Sequence, residues 1–258
     1  MGARLGQHFL FDPSILRRIA AAAVHSPDDT VLEIGPGKGT LTRELAALAG
    51  SVTAIETDRA LAHALEAELG EGRVRVVTGD ALKVPWPAAT VVCGNIPYQI
   101  TSPLLERALR PPRPARIVFL VQAEVAARLA AAPGSRDYGA LSAGVQLVAS
   151  VERLFAVPAG AFRPRPRVDS ALVRLVPLAA PLVASAEEER RVRTAIRALF
   201  QRRRQQLGRS VREAFRLDQA ETDAALAAAG RAPRARVEEL APAAFVALAR
   251  ALGPRLAS

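Results

Sequence analysis

Between residues 30 and 121 the chain alternates short apolar runs, at 30–34, 51–55, 73–77, 90–94 and 116–121, with stretches such as 40–48 and 60–69 whose apolar residues recur every three or four positions. Strand, helix, strand at this spacing predicts an α/β domain with a parallel, doubly wound sheet. Asp12-Pro13 predicts an N-cap followed by proline at the first helical position, opening a helix that runs to about Val24. A helix is expected near 124–131, then a polar loop from Gly134 to Gly139, then two more strands at 144–151 and 168–176. Between those strands lies Phe162-Arg163-Pro164-Arg165-Pro166-Arg167, where alternate prolines forbid helix and favour an extended loop. The segment 177–185 has the composition of a linker. Beyond it the pattern is helical throughout, at 186–200, 202–215, 218–229 and 242–252. The expected division is a domain at 1–179 and a small all-helical domain at 180–258.

Composition narrows the function. Half of the 258 residues are hydrophobic, so a folded core is expected and disorder is not. Basic residues outnumber acidic ones by 35 to 25, a net charge of +10 that points to a polyanionic partner. Lys38 and Lys83 are the only lysines, so a GC-rich genome accounts for arginine over lysine but less well for the positive excess. The lone Cys93 excludes a disulfide framework and fits a reducing, cytoplasmic compartment; at the end of a strand it belongs to the core. No window is long and apolar enough for a membrane span, and the first residues lack the apolar stretch of a signal peptide. His8, His25 and His63 are too scattered to ligate a metal, and no metal site is expected. No association motif is evident, and a monomer is expected.

Three acidic or glycine-rich positions fall at successive strand ends. Glu33-Ile34-Gly35-Pro36-Gly37-Lys38-Gly39 follows the first strand and opens a helix, the place for a loop against which a ligand packs. It is not the dinucleotide fingerprint, because Thr40 stands where G-x-G-x-x-G needs glycine, and no Walker sequence occurs. Glu56 ends the second strand, where a carboxylate can accept both hydroxyls of a ribose. Asp80 and Ala81 follow the third, where an acceptor and an open space suit an adenine. The three together tilt the choice from nicotinamide cofactors to S-adenosylmethionine, although each acid alone can equally be a helix cap or a turn carboxylate.

Asn95-Ile96-Pro97-Tyr98 sits at the end of the run Thr90-Val91-Val92-Cys93. An amide oxygen and a main-chain carbonyl can accept the two hydrogens of an exocyclic amine while a phenol ring stacks on the base. Such acceptors favour a pyramidal, more nucleophilic nitrogen, and no general base is needed before attack. The same tetrapeptide also makes an ordinary strand-to-loop turn. In the loop 162–167 three arginines and an aromatic ring can meet single-stranded nucleic acid or serve as a solvated connector. Gln201-Arg202-Arg203-Arg204-Gln205-Gln206 is the strongest charge cluster of the helical part and can meet phosphates, as a solvated helix face also would.

Gly6-Gln7-His8-Phe9-Leu10, the glycine loop at 33–39, Gly94-Asn95-Ile96-Pro97-Tyr98 and Phe162-Arg163-Pro164-Arg165-Pro166-Arg167-Val168-Asp169-Ser170 together resemble, in order, the motifs of the ribosomal RNA adenine dimethyltransferases, most of all the KsgA type that acts on the small subunit. The likeness runs from residue 4 to about 250. It implies a Rossmann-like class I methyltransferase with a mostly parallel seven-stranded sheet and a helical RNA- or ribosome-binding domain. The implied reaction is dimethylation, from S-adenosylmethionine, of two adjacent adenosines near the 3′ end of small-subunit rRNA, on RNA or a pre-30S particle. It implies further that Gln7, His8 and Leu10 border the cofactor, that Gly35 and Gly37 lie under it, that Glu56 binds its ribose and that Asp80 and Ala81 hold its adenine. Asn95 and Pro97 would hold the target amine, Asn95 also bordering the cofactor, with Tyr98 on one face of the target base and Phe162 on the other. Arg163, Arg165, Arg167, Arg202, Arg203 and Arg204 would contact RNA. His8 stands where the family usually has Asn, which touches its side-chain role and not a main-chain contact. Competing readings are a large-subunit enzyme conferring macrolide resistance, and a non-catalytic assembly or transcription factor of the same fold.

Overall fold

A computed structural model describes residues 8–253, without the side chain of Tyr98. The chain forms two compact units, one running up to Ala126 and resuming over Val151–Pro177, the other comprising Ala127–Ser150 and the residues from Leu178 on. This grouping differs from the division expected at 179/180, because residues 127–150 cluster with the later helices.

In the first unit the chain passes through β1 (Phe9–Leu10), α1 (Pro13–Ala23), β2 (Thr30–Ile34), α2 (Thr40–Leu48), β3 (Ser51–Glu56), α3 (Arg59–Leu69), β4 (Val74–Thr78), β5 (Val91–Asn95), α4 (Thr101–Ala108) and β6 (Arg116–Gln122). It continues with α5 (Ala123–Ala130), α6 (Ala140–Gln146), β7 (Ala149–Val157), β8 (Phe162–Arg163) and β9 (Ser170–Pro177), of which α6, the second half of α5 and the first two residues of β7 belong to the second unit. Seven strands form one sheet in the order β4-β3-β2-β5-β6-β9-β7. The five from β2 to β6 are parallel and β9 lies antiparallel on β6. Because the chain winds outward from β2 to β4 and then returns to place β5 on the other side of β2, a crevice opens beyond the carboxyl ends of those two strands.

Local chemistry explains the elements. The Asp12 carboxylate accepts from the amides of Ser14 and Ile15 ahead of Pro13, a cap worth about 1 kcal/mol, and α1 turns Ile15, Leu16, Ile19, Ala20 and Ala23 into the core. Asp58 caps α3 in the same way. At the amino edge of the sheet, buried Asp29 gathers the amides of His25 and Ser26, the Thr90 hydroxyl and the Arg116 guanidinium, tying together the starts of β2, β5 and β6. Burial pushes its carboxyl upward, but those hydrogen bonds and the Arg116 charge outweigh it and hold it below the ordinary range.

Two expectations change. The strand expected at 144–151 is split: residues up to Gln146 complete α6, and β7 begins only at Ala149. Ser142 accepts the Gly139 amide at the helix start, and the Gln146 side chain donates to the carbonyls of Leu129 and Ala131. Residues Ser142 to Val145 are all buried, so no periodicity betrays the helix. The helix expected at 202–215 begins later, as α8 (Leu207–Phe215).

The second unit adds α7 (Ala186–Phe200), α9 (Gln219–Ala228) and α10 (Pro242–Leu252) to α6 and α8. The buried Tyr138 ring meets Phe200 edge-on at 6.0 Å between centroids, and its hydroxyl donates to the Leu240 carbonyl at 2.9 Å. These contacts hold the inserted segment among the later helices.

Candidate active site

The crevice beyond β2 and β5 holds a cavity of about 260 Å³ lined by residues of the first unit only. Its walls come from four strand ends and from the segment around β1. Of the residues singled out in the sequence, His8, Leu10, Gly35, Gly37, Glu56, Asp80, Ala81, Asn95 and Pro97 all border it. Gln7 and the Tyr98 side chain lie outside the described residues.

Gly35 and Gly37 both take positive φ, 70° and 57°, at the turn that ends β2. A Cβ on Gly35 would meet nothing within 4 Å, whereas one on Gly37 would come within 2.8 Å of the Phe9 ring. The loop thus presents bare backbone to the cavity at Gly35, and Phe9 closes over it at Gly37. Beyond β3, the two oxygens of Glu56 accept the amides of Gly37 and Asp58, each at 2.9 Å. The carboxylate is fixed in orientation and keeps lone pairs for a diol. Past β4, Asp80 is held by the Leu82 amide at 2.9 Å. Trp86 donates its indole N–H to the Ala81 carbonyl at 2.8 Å, and Arg107 lies over its ring, 4.9 Å from the centroid. Trp86 was invisible as a site residue in the sequence; it braces the Asp80-Ala81 turn.

Asn95, at the end of β5, donates its amide N–H to the His8 carbonyl at 2.9 Å, and its Oδ1 accepts no hydrogen bond among the described residues. This contact uses the main chain of residue 8 and does not involve the imidazole. The His8 imidazole Nδ1 donates to the Pro164 carbonyl at 2.7 Å. Pro97 corrects one expectation: its carbonyl already receives the Ile100 amide at 3.1 Å and the Thr101 hydroxyl at 3.4 Å, contacts that start α4. The carbonyl of Ile96 accepts no such bond among the described residues, and Ile96 also borders the cavity.

Phe162 corrects another. It pairs with Leu10 across the short β1–β8 ladder, and its ring, 2% exposed, is buried with Leu10, Leu16 and Leu172 and does not border the cavity. Alternation along β8 sends Phe162 inward and Arg163 outward.

Glu33 is the residue whose role the sequence concealed. It sits inside β2 among apolar neighbours, 1% exposed, and borders the cavity. Its Oε2 and the nearby Thr42 hydroxyl have no hydrogen-bond partner among the described residues. Burial outweighs the opposing pull of the neighbouring Thr42 hydroxyl and, with the charge of Glu56 adding to it, raises the Glu33 carboxyl to about 7. A buried carboxylate oxygen without a hydrogen bond, beside an open cavity, costs stability unless something positive or hydrogen-bonding arrives. Cys93 nearby is pushed far up by burial and by Glu33, so it stays a thiol and supplies no nucleophile.

The donor set fits S-adenosylmethionine: a diol acceptor in Glu56, an adenine turn at Asp80-Ala81, bare backbone at Gly35, and an orphaned acid for the amino group in Glu33. Among the described residues no group of three or more His, Cys, Asp or Glu side chains is placed to hold a metal, and no helix is long and apolar enough to cross a membrane.

Arg163, in β8, and Arg165 and Arg167, on the loop after it, are exposed. In the second unit, a cup of about 390 Å³ is lined by Phe200 to Gln205. There Arg202 lies 3.7 Å from Glu213, and Arg203 lies 3.9 Å from Glu238 while donating to the Arg136 carbonyl. The Arg204 side chain is exposed and has no ion pair among the described residues.

Comparison with known proteins agrees with this geometry. Residues 2–252 match the family model described as ribosomal RNA adenine dimethylase. The chain is 42% identical to a ribosomal RNA small subunit methyltransferase A of Moorella thermoacetica, covering 96% of this chain and 91% of the relative. It is 43% identical to the protein of that description in Myxococcus xanthus, over 96% and 90%. Among solved structures, a dimethyladenosine transferase from Plasmodium falciparum superposes with a TM-score of 0.80 at 28% identity, covering 93% of this chain and 96% of that one. The 23S rRNA methyltransferase ErmE gives 0.73 at 32% identity, covering 95% and 99%.

Proposed function

The chain belongs to the ribosomal RNA adenine dimethylase family, and from that premise we propose that it dimethylates the exocyclic amine of two adjacent adenosines near the 3′ end of small-subunit rRNA. The family is S-adenosylmethionine-dependent, and the enzyme is an rRNA adenine dimethyltransferase. The relatives at 42 and 43% identity carry the small-subunit description, which favours that target over the large-subunit rRNA of ErmE. We take it to act as a monomer in the cytoplasm, in keeping with its single buried thiol.

The observation that carries the reading is the Asn95 amide, anchored at its N–H end by the His8 carbonyl, with its oxygen at the rim of a cavity whose other walls suit the cofactor. S-adenosylmethionine, when bound, supplies an electrophilic sulfonium methyl. Glu56 holds the ribose, Asp80 and Ala81 the adenine, Gly35 and Gly37 the amino-acid part, and Glu33 the amino group. Asn95 Oδ1 and the Ile96 carbonyl accept the two hydrogens of the target amine, in place of the Pro97 carbonyl. Both acceptors draw on the N–H bonds and aim the nitrogen lone pair at the methyl, so alignment supplies most of the rate enhancement. The nitrogen becomes acidic once methylated and loses its proton to water; no side-chain base is required. Tyr98 stacks on the target base, whose unstacking from RNA costs a few kcal/mol. Exposed Arg163 contacts the RNA beside Phe11, and exposed Arg165, Arg167 and Arg204 hold phosphates, with Arg202 and Arg203 contributing as their acidic partners release them.

The deciding experiment is digestion and mass spectrometry of rRNA from cells with and without the gene. Loss of dimethyladenosine from the 3′ region of small-subunit rRNA is expected on deletion. Loss from large-subunit rRNA instead, with a change in macrolide susceptibility, would transfer the assignment to the ErmE-like reaction. No change in either RNA would leave a binding factor of the same fold.

A further inference from the structure

We propose that Phe11 and Arg163 form a stacking ledge for the unpaired RNA base next to the adenosine being methylated, an inference that rests on reading the adjoining cavity as the methyl-transfer site. Phe11 is 43% exposed, and among the described side chains it is the aromatic ring most open to solvent. The Arg163 guanidinium lies over the ring, 4.9 Å from its centroid. This is a preassembled cation–π pair open to solvent, the arrangement on which single-stranded nucleic acid stacks.

Its position is tied to the cavity from both strands. Leu10, one residue before Phe11, borders the cavity, and the Phe11 amide donates to the Ala161 carbonyl at 3.1 Å. Arg163 pairs with Phe9, another cavity residue, and the next carbonyl, that of Pro164, is held by the His8 imidazole. Phe11 itself does not border the cavity, so its ring cannot serve the base inside. A strand that delivers one nucleotide into the cavity must carry the neighbouring base past this rim. The surroundings favour RNA over a protein partner: Arg163, Arg165 and Arg167 and the prolines between them flank the ring with charge and extended chain.

The test uses Phe11→Leu, Phe11→Trp and the wild-type protein on small ribosomal subunits from cells lacking the gene, with radiolabelled S-adenosylmethionine. Leucine keeps the apolar bulk and loses the plane; tryptophan keeps the plane. Phe11→Leu is expected to raise KM for the particle about tenfold, with kcat and cofactor Kd unchanged and the melting temperature of the wild type, and Phe11→Trp to restore KM. Arg163→Ala is expected to raise KM similarly, and to add little in the Phe11→Leu background, because the two act as one stack. Wild-type KM in Phe11→Leu, or a cofactor Kd that rises as much as KM, would overturn the ledge. Failure of the wild-type protein to methylate the particle would instead overturn the parent reading.

Discussion

The two edges of the sheet each bury a carboxylate, and they treat it in opposite ways. At the amino edge Asp29 is surrounded by two amides, a hydroxyl and a guanidinium, and its carboxyl is held below the ordinary range. At the carboxyl edge Glu33 keeps an oxygen unpaired in the same state and is raised to about 7. A satisfied buried acid fastens the fold; an unsatisfied one is reserved for a ligand. Exchanges at the two edges therefore separate stability from function.

The largest effect is expected at the carboxyl edge. Asn95→Ala should lower kcat/KM by about two to three orders of magnitude, the scale for losing one hydrogen-bonding group aimed at the reacting centre. Cofactor affinity by calorimetry and melting temperature should barely move; a parallel loss of cofactor affinity would erase the distinction between target and cofactor sides. At the opposite edge, Asp29→Ala strands Arg116 and should cost about 3 kcal/mol in urea unfolding, while the protein that remains folded binds cofactor normally.

Glu33 sharpens the contrast through pH. Its folded pKa of about 7 lies above the ordinary 4.5, so the folded apoprotein holds an extra proton between those values. The contribution to stability is therefore full below about 4.5 and is lost as pH rises through about 7, a change of roughly 3 kcal/mol. Cofactor binding runs the other way: the amino group needs the carboxylate, so affinity should weaken by up to about tenfold per unit as pH falls below about 7. Glu33→Gln should flatten both profiles, and a persistent slope in cofactor titrations would place the proton elsewhere. The smallest effect belongs to Trp86→Phe, which removes one hydrogen bond to Ala81, about 1 kcal/mol, and should raise cofactor Kd roughly fivefold.

Much of this was legible because strand ends and glycine turns leave strong local signals. The helix at 40–48 and the positions of Glu56, Asp80 and Asn95 follow from the alternation of apolar runs and from where each run stops. What stayed hidden depended on contacts between distant residues. Phe162 was read as part of an open loop because a two-residue ladder has no periodicity, and only its pairing with Leu10 turns the ring inward. Glu33 was passed over because a carboxylate inside an apolar strand reads as part of a motif until its lack of partners is seen. The competition for the Pro97 carbonyl stays hidden in the sequence because the first turn of α4 takes up that carbonyl and spares the one of Ile96. Helix α6 was mistaken for strand because every side is covered.

The grouping of Ala127–Ser150 with the helices after Leu178 has an architectural consequence. The helical unit is not a cassette hung on the end of the chain; it is assembled from two pieces that leave and re-enter the catalytic unit. Cutting the polypeptide at 179 would strand Tyr138 without Phe200 and without the Leu240 carbonyl, laying bare a greasy hairpin in the middle of the remaining fragment. Swapping this unit between homologues would require transplanting both pieces at once.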